Sequence, residues 1–136
     1  MPAKRNIITY KDTAADAITT IIGISSHEND YRLSWSINKT HGLAFSRDAE
    51  SIDAGNGMEF SCYSHHDEDQ SLMLVSNRCD NGFLLGKHKN LDFILKFDTE
   101  LEEAEKEGWL KKLRQTPLVS GAFAMQGNKK IMNLLG

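Results

Sequence analysis

The segment from Ser25 to Gly42 constrains the fold most, because its start signal, faces and stop signal all describe one amphipathic helix. Ser25 and Glu28 have the spacing of a capping box, which satisfies two otherwise orphan amides at a helix start. With each residue turned by ~100°, Glu28, Asn29, Arg32, Ser36, Lys39 and Thr40 share a polar face over His27–His41. Leu33, Ile37, Tyr31 and Trp35 flank the opposite face, with Ser34, Asn38 and His41 at its centre. Gly42 follows where a left-handed residue ends a helix.

The remaining elements are read around that helix. Asn6–Tyr10 is β-prone. Residues 14–24 fit a helical spacing at Ile18, Ile21 and Ile22, while the β-branched density of 18–24 favours a strand. A brief strand is expected at 43–46, followed by a polar loop across 47–57. Phe60, Cys62 and Ser64 alternate with Glu59, Ser61 and Tyr63 as in a half-buried strand, and 72–77 returns after a turn at 65–70. Asp80-Asn81-Gly82 signals another turn, and Leu91–Phe97 reads as a buried strand. Thr99 with Glu102 opens a second helix running to Gln115, acidic in its first half and basic at Lys111, Lys112 and Arg114. Pro117 stops it, and 118–125 supplies a final strand.

These elements predict an α+β fold: a two-layer sandwich, with a mainly antiparallel sheet of about five or six strands and two principal helices on one face. At 136 residues, 40% apolar and 26% charged, the chain fits a single globular domain, with residues 1–5 and 127–136 expected to be less ordered. The net charge of −3 gives no electrostatic reason to expect nucleic-acid binding. The N-terminus lacks the apolar core of a signal peptide, and no apolar run could cross a bilayer, so a cytoplasmic location without membrane partners is expected. Cys62 should lie opposite roughly residue 74 rather than Cys79, so free thiols are expected instead of a disulfide.

Candidate chemistry is sparse. His65, His66, Asp67, Glu68 and Asp69 are metal-ligand types, but neighbours in a turn point apart and no second ligand pair has suitable spacing; a solvated turn without metal is expected. Ser26-His27 lacks the geometry of a nucleophile and its base, and no nucleophile elbow or phosphate loop occurs. No catalytic residue and no cofactor is therefore assigned. Asn38 and His41, on the inner side of the helix, need partners once buried. They either pair with a neighbouring strand or form a polar pocket with Arg78 and Asp92.

The stretch Ile22–Lys39, with its Ile-Gly-Ile-Ser-Ser lead and Asp-Tyr-Arg-Leu helix, resembles the IPExxxVDY family of Bacteroidota. Leu74-Val75-Ser76-Asn77-Arg78 is similar to that family's Leu-Ile-Ser-Asn-Arg strand, and its name-giving motif falls on Leu85–Phe93. There Gly86 stands in place of the proline and Lys87 in place of the glutamate. The resemblance implies a small intracellular protein of undefined role and transfers no catalytic residue.

Two functions are expected from this reading. The first is a non-enzymatic interaction or adaptor domain, a homodimer or the partner of another protein. Its interface would be drawn from the aromatics Tyr31, Trp35, Phe93, Phe97 and Trp109. The second is a small-ligand binder or enzyme with its pocket near Asn38, Arg78 and Asp92.

Overall fold

In the computed structural model, which describes residues 20–125, a run of isoleucines enters a sheet as the interior strand β1 (Ile21–Ser25). It pairs on one side with β9 (Phe93–Phe97) and on the other with β10 (Gly121–Met125), and such flanking on both edges suits its β-branched residues. The described part of residues 14–24 is therefore strand. The expected strand at 6–10, residues 14–19 and the two chain ends lie outside the described residues. A Cβ at Gly23 would crowd the ends of the Leu91 and Met125 side chains, which would have to shift.

The sheet has six antiparallel strands in the order β10-β1-β9-β6-β5-β2, where β2 is Ser46–Arg47, β5 Cys62–His66 and β6 Ser71–Ser76. The β5–β6 hairpin pairs Cys62 with Val75, one residue from the expected register, and both cysteines are free. The pleat divides the strands cleanly. Ile22, Ile24, Leu72, Leu74, Phe93, Leu95 and Phe97 face one core together with helix α1 (Asp30–His41) and helix α2 (Glu103–Arg114). Trp109 packs against this core edge-on to Phe97, with ring centroids 5.2 Å apart. The fold is thus α+β, with both helices on one face of an antiparallel sheet.

The opposite face is also covered. Ile21, Cys62, Val75 and Ile94 pack under Phe60, Leu84 and Leu85. Phe60 comes from a small hairpin of β3 (Ile52–Asp53) and β4 (Glu59–Phe60); Leu84 and Leu85 follow a second hairpin of β7 (Arg78–Cys79) and β8 (Gly82–Phe83). The chain's own hairpins thus cover the sheet face that the helices leave free.

Both helix starts differ from expectation. Ser25 stays extended because it pairs with Gly121 at the end of β1, and its hydroxyl donates to the Asn90 carbonyl at 2.9 Å. Helix α1 begins at Asp30 instead, where the Asn29 side chain accepts from Arg32 N at 2.9 Å, and Glu28 forms an i,i+4 ion pair with Arg32. Thr99 is likewise outside α2, whose cap is Glu102, with its amide donating to Glu105. The stop at Gly42 is as expected: its φ is +67°, and its amide and that of Leu43 both donate to Asn38 O. Ser36, placed on the polar face by periodicity, is buried because the 116–120 connection packs beside it and Pro117 O accepts from its hydroxyl at 2.7 Å.

Candidate functional site

Three separate pieces of chain meet at one end of the sheet: the link from β1 to α1, the end of β6 leading into β7, and the residues just before β9. Asn77 joins two of them. It is fully buried, its Oδ1 accepts from Leu85 N at 2.7 Å, and its Nδ2 donates to Leu91 O at 2.8 Å and His88 O at 3.0 Å. Its backbone amide also donates to Asp92 O at 2.9 Å. This one side chain therefore folds the 78–92 loop back on the sheet, satisfying carbonyls and an amide that would otherwise be orphaned.

That loop delivers Asp92 to the cleft. Its carboxylate forms an ion pair with Arg78 and accepts from Ser26 N at 2.8 Å, tying the β1–α1 link to the loop. The Ser26 hydroxyl accepts from Glu28 N at 3.2 Å and donates at 2.6 Å to Leu118 O, whose residue is held at a φ of +78°. Ser61 Oγ donates to Asp30 Oδ2 at 2.5 Å, and Ser76 Oγ donates to Arg78 O at 2.9 Å. All three hydroxyls thus donate to acceptors of the chain itself.

Around these groups lies an open cleft of about 690 Å³. Five carboxylates line it, Glu28, Asp30, Glu59, Asp80 and Asp92, against two guanidinium groups, Arg47 and Arg78. The Arg78–Asp92 pair cancels internally, and Glu28 is engaged by Arg32. Asp30, Glu59 and Asp80 then outweigh Arg47, so the cleft carries a negative field.

A second groove of about 520 Å³ adjoins it, between α1 and edge strand β2, and Asp30 and Arg47 line both. Tyr31, Trp35, Phe45 and Tyr63 give it aromatic walls. Tyr31 is 67% and Trp35 54% exposed, whereas Phe45 and Tyr63 are buried as its floor. Burial, and next the Asp30 carboxylate, push the Tyr63 phenol up against the opposing pull of Arg47.

The four residues expected to form one polar pocket are divided. Arg78 and Asp92 stand together in the cleft. Asn38 lines the aromatic groove, but its amide is occupied: Nδ2 donates to Phe45 O at 3.0 Å and Oδ1 accepts from Phe45 N at 2.7 Å. His41 lies farther along α1, its Nε2 2.7 Å from Thr116 Oγ1. Thr116 already donates that hydroxyl proton to Lys112 O, so His41 is the donor to Thr116. The separation follows from geometry, since Asn38 and His41 are more than one turn beyond the α1 N-terminus at which the cleft forms.

Of the aromatics expected at an interface, only Tyr31 and Trp35 are exposed; Phe93 and Phe97 are core residues. The 65–70 turn differs in one respect. His65 faces inward, where Nδ1 accepts from Ala44 N at 3.0 Å and Nε2 contacts Asp67 Oδ2 at 2.8 Å. Among the described residues no group of three or more His, Cys, Asp or Glu is placed to hold a metal ion. None of their helices is long and apolar enough to cross a membrane. Sequence reasoning gave no site role to Asn77, to Ser26 as a bridge or to Asp30, Glu59 and Asp80; Ser26, Asp30 and Asn77 lie in the segments of the family resemblance, but all five converge only through the strand pairing.

Compared with known protein families, with curated proteins and with solved structures, the chain matches none.

Proposed function

We propose that this protein is a non-enzymatic interaction domain that docks a basic segment of a different protein in the acidic cleft at the N-terminus of α1. The observation that carries this reading is the excess of carboxylates over guanidinium groups in an open cleft of about 690 Å³. Such a surface draws a cationic partner by long-range attraction and rejects an acidic one. The segments that carry the resemblance to the IPExxxVDY family border this cleft through Ser26, Ser76, Arg78 and Asp92, which supports placing the role here.

The test is a titration with hexalysine and hexaglutamate, followed by isothermal calorimetry or by amide chemical shifts. Hexalysine binds, its affinity falls as salt is raised, and the double variant Glu59→Gln/Asp80→Asn weakens it. Binding of hexaglutamate in preference to hexalysine refutes the reading. A second reading, a small polar ligand held by Arg78 and Asp92, is favoured by the placement of that ion pair in the cleft. It predicts that Asp92→Asn abolishes binding of a zwitterionic metabolite while leaving hexalysine without effect on the wild type.

A further inference from the structure

The groove beside the cleft has chemistry of its own. Its walls are the exposed rings of Tyr31 and Trp35, one turn apart on α1, over a floor of Phe45 and Tyr63. Among the described residues, Tyr31 and Trp35 are two of the three large apolar side chains left exposed; the third, Phe123, is on β10. The Asp30 carboxylate, which lines both the groove and the cleft, is oriented by Ser61 Oγ and by the Tyr31 amide at 2.7 Å. Aromatic faces present negative quadrupole density, and a carboxylate among them adds a full charge. The chain itself uses this chemistry, with Lys112 over Trp109 and Lys39 Nζ 4.9 Å from the Trp35 ring centroid; Lys39 is exposed on a flexible stem and gives way to an incoming cation.

We infer that this aromatic groove receives one cationic side chain, lysine or arginine, of the basic segment docked in the neighbouring cleft, with Trp35 and Tyr31 against its stem and head and Asp30 as its counter-charge. The inference rests on the proposed docking of a basic segment and adds an anchor point for it. Continuity supports it, because Asp30 and Arg47 border both cavities and a chain crossing the cleft can turn one side chain into the groove. Arg47 and Lys39 are the opposing charges; Arg47 pairs across strands with Tyr63, and its removal should strengthen the anchor. Long basic side chains suit such a place, since their methylene stems cover apolar surface while the head keeps its charge.

The experiment titrates isotope-labelled protein with hexalysine, hexaarginine and hexaglutamine. The Trp35 indole N–H reports the groove and the backbone amides of Cys79 and Asp80 report the cleft. Both reporters move with one or both cationic peptides, and the tighter peptide names the head group. Trp35→Leu, which keeps apolar bulk and removes the π face, weakens that peptide about two- to five-fold, the range of an exposed cation–π contact. Arg47→Gln tightens it. Both residues are exposed, and melting temperatures confirm that the variants fold. If the cleft amides shift while the Trp35 signal stays fixed, or Trp35→Leu binds as wild type, the anchor is refuted and the docking reading survives. If hexaglutamine moves Trp35 equally, the groove takes any chain and the inference fails. If no peptide moves either reporter, both fall.

Discussion

Asn77→Ala tests the reasoning most severely, because the residue is fully buried yet polar and joins the loop that carries half of the cleft. Its side chain makes three hydrogen bonds, to Leu85 N, Leu91 O and His88 O. Removing them leaves two groups on buried residues unpaired, the Leu85 amide and the Leu91 carbonyl, each costing ~1–3 kcal/mol, while the His88 carbonyl, on a half-buried residue, regains water. The expected loss is about 3–5 kcal/mol, a large share of the ~5–15 kcal/mol that holds a domain together. Asn77→Asp differs by one atom and keeps the acceptor for Leu85, yet it aims a carboxylate at two carbonyl oxygens. It should be at least as damaging as alanine. Urea denaturation followed by circular dichroism measures both, and amide spectra below the transition should show residues 78–92 perturbed before the strands. An alanine variant costing under ~1 kcal/mol, or an aspartate variant as stable as wild type, would refute the account of Asn77 as the loop's organiser.

Other outcomes follow from particular side chains. Leu33→Ala and Ile37→Ala, both fully buried, should each cost about 2–4 kcal/mol, while exposed Lys39→Ala is nearly silent; equal effects in denaturation would contradict the orientation of α1. Burial, and then Lys112, hold His41 below the usual imidazole range, so the unfolded chain binds that proton more readily. The stability this contributes is present above the unfolded value near 6.5 and is lost as pH falls through the folded one. His41→Gln should therefore flatten the fall of melting temperature with acidification relative to wild type, and a steeper fall would reverse the sign. Burial, followed by the Asp48 carboxylate, pushes the Cys62 thiol up to about 12, so a thiol reagent at mildly alkaline pH should label half-exposed Cys79 and reach Cys62 only on unfolding. Burial also lowers the Lys96 ammonium, and Lys96→Met should raise the melting temperature at neutral pH.

Much of the architecture was legible because it rests on short-range rules. The 3.6-residue spacing of Leu33 and Ile37, the left-handed stop at Gly42, and the alternation of Phe93, Leu95 and Phe97 each express a local preference the final fold keeps. Helix starts were less legible, since Ser25 and Thr99 have capping chemistry that competing contacts override. Strand pairing claims Ser25, and the cap of α2 forms at Glu102. What covers the second sheet face was not readable, because Phe60, Leu84 and Leu85 reach it from hairpins with little sequence pattern. The cleft depended wholly on tertiary structure. Ser26 and Asp92 are 66 residues apart and share a hydrogen bond only because β1 and β9 are neighbours in the sheet. Spacing along the chain determines which way a side chain faces within its own element, whereas which charges gather against one another depends on strand order, a long-range choice made by burial of the whole core.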